Sequence, residues 1–501
     1  MNPAVPVTMI EPVITPSAWP SALAWRNRLP KPAQPGHDHA MSRLSDSFLN
    51  ELRSVLGETG LRCDGVAVTL DPGMDAGNLG AGVVALPASR DHMQAVVRLC
   101  AEHAVAMVPQ GGRTGLAGGA VSQTGQLIVA TARLNQPLEI DAAGGTALVG
   151  AGVPLSALQE AAAEHGLSPG IDLAARDSAT IGGLIATNAG GIEAFRFGTM
   201  RHRVLGLEAV MADGDVVDDL KRVVKANEGY GISQLLCGAE GTLGIITRAA
   251  LKLVPKDPDP ATALVACSTA GDALALFHRL HQAPGSTLLA AEIMWPDFAR
   301  GVARNLKLDA VVDFAPDHHV YLLVDLAAAD NAQERLEEAL ADALEAGEAA
   351  DAVFAKSGED RRRMWLVREE SFEADKTMPH GFWYDISVPH ACLQDYTDAL
   401  FQRMAAIDPA LVLFMFGHLG DGNLHLTVTK GEPMEELHDR VNAALFDGLV
   451  EAGGSFSAEH GIGLEKRSYL RHYGSGGKLS AMESVKSALD PQGLMNPGKV
   501  L

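Results

Sequence analysis

The sequence predicts an α+β protein with more than one domain, and three observations carry that reading. Beyond Pro255-Lys-Asp-Pro-Asp-Pro260, strand-like and helix-like segments alternate in a way that suggests an antiparallel sheet with helices on one face. Ahead of that boundary, short strands run into two glycine-rich blocks, Gln110–Gly119 and Ser178–Gly191. Near the C-terminus, Phe416-Gly-His-Leu-Gly-Asp-Gly-Asn-Leu-His-Leu426 reads as a hairpin that carries two histidines. A chain of 501 residues exceeds one typical core, so two or three domains are expected.

Composition narrows the partners. Hydrophobic residues at 47% and charged residues at 20% describe an ordinary globular chain. A net charge of -22 argues against nucleic acid or an anionic membrane, either of which needs a basic face. A local basic patch for an anionic cofactor stays compatible with it. Cys63, Cys100, Cys237, Cys267 and Cys392 are scattered and share no metal-type spacing, which fits reduced thiols in a cytoplasmic protein. No apolar run is long enough to span a bilayer. Residues 1–44 are rich in Pro and Ala and lack a charged start before an apolar core. A flexible tail without a secretory signal is expected there, and Met41 is an alternative start.

In chain order, Phe48, Leu52, Val55 and Leu56 form a helical stripe. Gly82–Pro87 reads as a strand, and Ser89 as the cap of a helix over Asp91–His103. Ala104–Pro109 is a strand that opens into Gln110-Gly-Gly-Arg-Thr-Gly-Leu-Ala-Gly-Gly119. Such a loop lets several backbone N–H groups face one anion, and a phosphate is the natural guest. A plain glycine-rich turn between strands is the alternative, because neither the Walker nor the Rossmann spacing is present. The second block is too polar and glycine-broken for an ordinary core helix, and suits close contact with a flat or extended ligand. Val204–Met211, the turn Asp213-Gly214 and Val216-Val217 form a hairpin, and Ala249–Val254 is a further strand. Past the boundary, Ala263–Ser268 and His319–Leu326 are strands, while Ala273–His281 and Asn331–Ala346 are helices. A helix begins at Arg361, with Arg361–Arg363 on a solvated face. Arg368 lies at helical spacing from Met364 and Trp365 and so points inward, where Glu369 or Glu373 is a candidate ion-pair partner. Helices near Glu435–Glu451 and Leu479–Leu489 complete the reading.

In the hairpin, Leu411–Phe416 is a buried strand, Gly417, Gly420 and Gly422 bend the chain, and Leu424, Leu426 and Val428 alternate. His418 and His425 then converge at its mouth. They can ligate a divalent metal if a carboxylate arrives from elsewhere, or be two hydrogen-bonded loop histidines. Glu459, in Ser457-Ala-Glu-His-Gly461, would supply that carboxylate, and His460 would stand beside the metal as a general base.

Taken together, Pro109-Gln-Gly-Gly-Arg-Thr-Gly-Leu116, Ala186-Thr-Asn-Ala-Gly-Gly191, Glu240-Gly-Thr-Leu-Gly-Ile-Ile246, Gly417–His425, Ser457–Gly461 and Asn496-Pro-Gly498 resemble a known family. It is that of the FAD-dependent D-2-hydroxy acid dehydrogenases of the vanillyl-alcohol oxidase type, which includes D-2-hydroxyglutarate and D-lactate dehydrogenases and the glycolate oxidase flavin subunit. The resemblance covers roughly Leu52–Leu501. It implies a two-part FAD-binding domain over 45–255, an antiparallel-sheet cap domain over 256–454, and a C-terminal segment, 455–501, that returns to the flavin. It also implies that Gly111, Gly112, Arg113, Thr114 and Gly115 hold the FAD pyrophosphate, with Pro109 and Gln110 leading into them. Asp172, Ser178, Ile181, Gly182, Gly183, Thr187, Asn188, Gly190, Gly191, Glu240, Ile246 and Asn496 are expected along the rest of the cofactor. By the same likeness His418, His425 and Glu459 ligate Zn²⁺ (or Mn²⁺ or Co²⁺), His460 is the catalytic base, Arg368 grips the substrate carboxylate, and Asn423 lines the pocket. The Gly111–Gly119 loop carries no histidine for a covalent flavin link, so dissociable FAD is expected.

One departure bears on the substrate. Where the hydroxyglutarate enzymes hold the distal carboxylate with a threonine and a lysine, this chain has Phe372 and Trp383. An aromatic pair cannot neutralise a second carboxylate, so a D-lactate-like acid with an apolar or small side chain is expected. D-2-hydroxyglutarate or D-malate is the alternative, with Lys376 or His380 replacing the lysine. A homodimer that passes electrons to an electron-transfer flavoprotein or a quinone is also expected. A zinc hydrolase would leave both glycine-rich blocks unexplained. A non-redox flavoenzyme on the same fold is the other rival.

Overall fold

The computed structural model describes residues 44–63, 70–314 and 320–501; apart from Leu44, the expected tail and Met41 lie outside these residues. Among the described residues, three larger sheets organise the fold, beside a two-stranded pair of Leu167–Ser168 and Val254–Pro255. The first is mixed, with strands Leu61–Cys63, Val83–Ala85, Leu127–Ala130 and Met107–Gln110 in that order. The second is antiparallel and orders Leu138–Asp141, Thr146–Gly150, Gly244–Lys252, Val204–Met211 and Val216–Asp219. The third is a seven-stranded antiparallel sheet, ordered Asp351–Phe354, Ala261–Cys267, Val320–Ala328, Ser286–Met294, Val412–His418, Asn423–Thr429 and Phe382–Ser387. Among the described residues, no helix is long and apolar enough to cross a membrane.

The first sheet ends at the first glycine-rich block. Helix Arg90–Glu102 is capped by Ser89, whose hydroxyl accepts from His92 N, and it buries Met93, Val96, Val97 and Cys100. Strand Met107–Gln110 then delivers the loop from the sheet's edge. The second block corrects the expectation from its composition, because Ile181–Thr187 is a short helix with Ile181, Leu184 and Ile185 buried. Glycine there admits close packing: a Cβ on Gly182 would lie 2.7 Å from Ala151 Cβ. Tertiary contact overrides propensity.

The large sheet also departs from expectation, since helices cover both of its faces. Ala263 and Val265 pack with helices Ala270–Gln282 and Ala332–Ala346, whereas Leu264 and Ala266 pack with Phe298 and Val302 of Pro296–Leu306 and Trp365 of Gly358–Glu369. Alternate residues of one strand feed two cores. Arg362 and Arg363 pair with Glu359 on the exposed face as expected, but Arg361 reaches back to the buried Asp325. Helix Gly358–Glu369 starts at Ser357, which caps Asp360 N, and its last turn turns Arg368 inward beside Met364 and Trp365.

The linker at Pro255–Pro260 is tied to the short helix Ala194–Phe197, just after the second block, through Arg196, whose Nη1 lies 2.8 Å from Asp257 Oδ2. Beside it, burial and the neighbouring Asp172 push the Glu193 carboxyl up to about 7, against the pull of Arg196. Between its ordinary pKa and this raised one, the folded protein keeps a proton that the unfolded chain has lost. Stability therefore falls as pH rises through that window. Glu193→Gln should gain on the order of 2 kcal/mol over wild type at pH 8, with the gap closing at pH 4; urea unfolding at both values checks this, and equal stability at pH 8 contradicts it.

Candidate active site

The two histidines project from adjacent strands. Gly417 pairs with Leu424 and Phe416 with His425 across the hairpin, and Leu419–Asp421 forms its turn. Leu424, Leu426 and Val428 point into the core on one face, so His425 faces the other. The His418 and His425 rings lie 5.5 Å apart at 85°, which is the convergence the sequence suggested. Glu459 joins them from the C-terminal segment: its Oε1 is 3.7 Å from His418 Nε2 and its Oε2 4.0 Å from His425 Nε2. Ligand atoms of these three residues all lie within 4.8 Å of one another, a spacing that one cation could close. Glu459 also accepts from Gly191 N at 2.8 Å, so the second glycine-rich block helps to hold it.

Two buried carboxylates that the sequence reading missed support this cluster. Glu292, on strand Ser286–Met294, sits opposite His418, and its Oε1 is 2.9 Å from His418 Nδ1. An N–H held there leaves Nε2 free to face Glu459. Burial alone would lower the His418 pKa, but Glu292, with a contribution from Glu459, raises it to about 9. Asp385, on strand Phe382–Ser387, is fully buried; Oδ2 accepts from the backbone N of Ala458, Glu459 and His460 at 3.0, 2.9 and 3.0 Å, and from Lys466 Nζ at 3.2 Å. Its Oδ1 accepts from Asn423 Nδ2 at 2.9 Å and lies 3.8 Å from His425 Nδ1. Burial would push this carboxyl up, yet His460, Lys466 and His425 around it hold it well below the usual range. Burial pulls the His425 and His460 imidazoles down, toward the neutral form that a ligand or a base requires. The signal for both carboxylates was a lone acid inside an apolar run, Leu288–Met294 and Phe382–Ile386, because a buried charge demands partners.

Arg368 does not pair with Glu369 or Glu373. Its Nη2 lies 2.6 Å from Glu292 Oε2, and the guanidinium sits 4.7 Å over the Phe416 ring. Buried polar atoms are left without hydrogen-bond partners beside the histidines, among them Arg368 Nε and Asn423 Oδ1. An orphaned donor and acceptor at such a spot fit a polar ligand. Phe372 and Trp383 stack with centroids 4.8 Å apart. Trp383 is two residues before Asp385 on the same strand, so it shares the sheet face of Asp385 and His425.

A cavity of about 150 Å³, partly open to solvent, lies between the glycine-rich blocks. Its wall includes Pro109, Gln110, Gly111, Gly112, Arg113, Thr114, Gly115, Gly182, Gly183, Thr187, Glu240 and Ile246, together with His460. The glycines are needed for close approach, since a Cβ on Gly112 would lie 1.8 Å from Ser178 O and one on Gly111 2.4 Å from Thr180 Oγ1. At Gly115 a Cβ would meet only open space, so the missing side chain widens the cradle. This wall of backbone and small residues fits an extended phosphate-bearing cofactor such as FAD.

Other expected cofactor residues stand behind the wall. Ser178 backs Gly112, Ile181 is in the core, and Asn188 caps its helix and accepts from Thr199 and Arg201. Asp172 pairs with Arg176 and abuts Gly191. Gly190 lies against Glu459, and Asn496 Nδ2 donates to Gly119 O and Glu240 O at 3.0 and 2.8 Å. His460 borders both spaces, lining the cavity while stacking on His425 at 5.6 Å and 15°.

The FAD binding domain model matches residues 81–219, and the model of the C-terminal domain of FAD linked oxidases matches residues 256–500. The D-2-hydroxyglutarate dehydrogenase of Xanthomonas citri pv. viticola is 38% identical over 83% of this chain and 88% of that protein. The D-2-hydroxyglutarate dehydrogenase of Stutzerimonas stutzeri is 36% identical over 83% of this chain and 90% of that protein. Among solved structures, p-cresol methylhydroxylase is 17% identical with a TM-score of 0.68, covering 91% of this chain and 97% of its own, which is a likeness of fold.

Asp385 makes a direct test of how the site is held. Asp385→Ala leaves Lys466 buried without its counter-charge and should cost about 3–5 kcal/mol. Chemical denaturation measures it, and a loss below about 1 kcal/mol would contradict the network. With an FAD-binding region, an oxidase C-terminal region and relatives this similar, the chain belongs to the family of FAD-dependent oxidoreductases that contains the D-2-hydroxyglutarate dehydrogenases.

Proposed function

We propose that this enzyme oxidises a D-2-hydroxy acid with an apolar or small side chain, such as D-lactate, to the 2-oxo acid. The observation that carries the reading is the position of His460, which borders the cofactor cavity on one side and the His418, His425 and Glu459 cluster on the other. FAD, bound without a covalent link, supplies the hydride acceptor for the substrate Cα. A divalent cation held by His418, His425 and Glu459 supplies Lewis acidity that lowers the pKa of the substrate hydroxyl; Zn²⁺, Mn²⁺ and Co²⁺ all suit this donor set.

The chain's own residues do the rest. His460 Nδ1 lies 3.9 Å from Asp385 Oδ2, which leaves Nε2 as the ring nitrogen that takes the hydroxyl proton. Burial keeps that imidazole neutral and able to accept it. Arg368 offers its guanidinium, with Nε unpartnered, to the C1 carboxylate, while Asn423 Oδ1 lines the same spot as an open acceptor for an O–H donor. Fixing the carboxylate and the hydroxyl together selects one face of Cα.

The Phe372–Trp383 stack supports the side-chain preference, since it presents aromatic carbon where a distal carboxylate needs a cation. Lys376 is largely exposed and paired with Glu373, so it is committed elsewhere. A dicarboxylate such as D-2-hydroxyglutarate or D-malate is the second reading, favoured by the names of the relatives above. Steady-state kinetics decide between them: kcat/KM for D-lactate or a longer aliphatic D-2-hydroxy acid should exceed that for D-2-hydroxyglutarate by about tenfold or more. A preference for the dicarboxylate overturns this proposal.

A further inference from the structure

We infer that Glu292 is a positioning residue that holds the metal-binding and carboxylate-binding halves of the site as one unit, an inference that rests on the proposed function. One buried carboxylate serves two groups. Oε1 lies 2.9 Å from His418 Nδ1, on the side of the ring away from Glu459, and Oε2 lies 2.6 Å from Arg368 Nη2. The Glu292 side chain is 1% exposed, and those of His418 and Arg368 are each 8% exposed, so water does not substitute for either contact. The three residues come from three separate elements, Ser286–Met294, Gly358–Glu369 and Val412–His418. Register reinforces the arrangement, because Glu292 and His418 are direct cross-strand partners. Arg368 Nη2 also lies 3.4 Å from His418 Nδ1, which puts all three groups in one contact cluster.

Arg368 brings a buried guanidinium charge and His418 a buried ring N–H, and both need an acceptor. Glu292 meets that need and fixes both geometries: an acceptor at Nδ1 orients the His418 ring with Nε2 toward the cation, and the same carboxylate restrains the guanidinium. A glutamine fits the space but brings one acceptor oxygen and an amide donor. It can satisfy one partner and presents N–H to the other. Aspartate keeps both acceptors and the charge at the cost of one methylene of reach.

The test uses full-length, FAD-loaded enzyme stripped of metal, compared as wild type, Glu292→Gln, Glu292→Asp and His418→Ala. Zn²⁺ alone is titrated into each by calorimetry, and KM and kcat for the best D-2-hydroxy acid are then measured at saturating Zn²⁺. Flavin absorbance and thermal unfolding confirm that each variant is folded and loaded. Glu292→Gln should bind Zn²⁺ roughly 10–100-fold more weakly. Its KM should stay raised about tenfold at saturating Zn²⁺, because Arg368 has lost the same support. Glu292→Asp should recover a large part of both losses. Wild-type Zn²⁺ affinity in Glu292→Gln overturns the inference, as does a KM fully restored by Zn²⁺, which would confine Glu292 to His418. If His418→Ala binds Zn²⁺ as tightly as wild type, the metal reading itself fails and this inference falls with it.

Discussion

The site depends on one buried carboxylate that fastens a distant segment to a sheet. Asp385 lies in the edge strand of the large sheet, and its Oδ2 gathers three successive N–H groups of residues 458–460. A charge with no exposure is costly unless every lone pair is used, and here Lys466 and Asn423 complete the set. The result is positional. Glu459 and His460, adjacent in sequence, are held with one side chain toward the hairpin histidines and the other toward the cavity.

The same segment is clamped from the opposite side. Glu240 accepts from Ile462 N and Gly463 N at 2.7 and 2.9 Å, and Asn496 bridges the carbonyls of Gly119 and Glu240. Met107 N donates to Leu494 O at 2.7 Å, which returns the chain's end to the first sheet. Glu459 in turn takes Gly191 N. The C-terminal segment is thus a strut between the glycine-rich lobe and the large sheet. It explains how a cofactor cavity built from one set of elements shares a wall with a histidine cluster built from another, which a proton and hydride transfer in register requires.

Much of this was legible where the local pattern and the tertiary structure agree. The alternation of Leu424, Leu426 and Val428 fixes the core face of a strand, and so sends His425 to the other. Ser89 caps the helix it announces, and Asp213-Gly214 makes its hairpin. What was hidden depends on contacts remote in sequence. Strand Val320–Ala328 is buried almost throughout, and a sheet covered on one face would alternate; that apolar run, broken only at Asp325, was the sign of the second helical layer. Helix Ile181–Thr187 defies its glycine and threonine content because Ala151 packs against it. Spacing suggested Glu369 or Glu373 for Arg368, both near in sequence, whereas the partner, Glu292, comes from another strand. Arg361, read as solvated, is drawn back by Asp325.

In the proposed reaction the histidine cluster acts on a hydroxyl beside the flavin. Anaerobic stopped-flow reduction of the flavin by the best D-2-hydroxy acid tests it most directly, with metal-stripped and Zn²⁺-reconstituted enzyme and with His418→Ala. All three forms should stay yellow, and only the reconstituted wild type should bleach rapidly, the others being slower by roughly 100-fold or more. Equal bleaching rates in all three would contradict it and leave the hairpin a purely structural element.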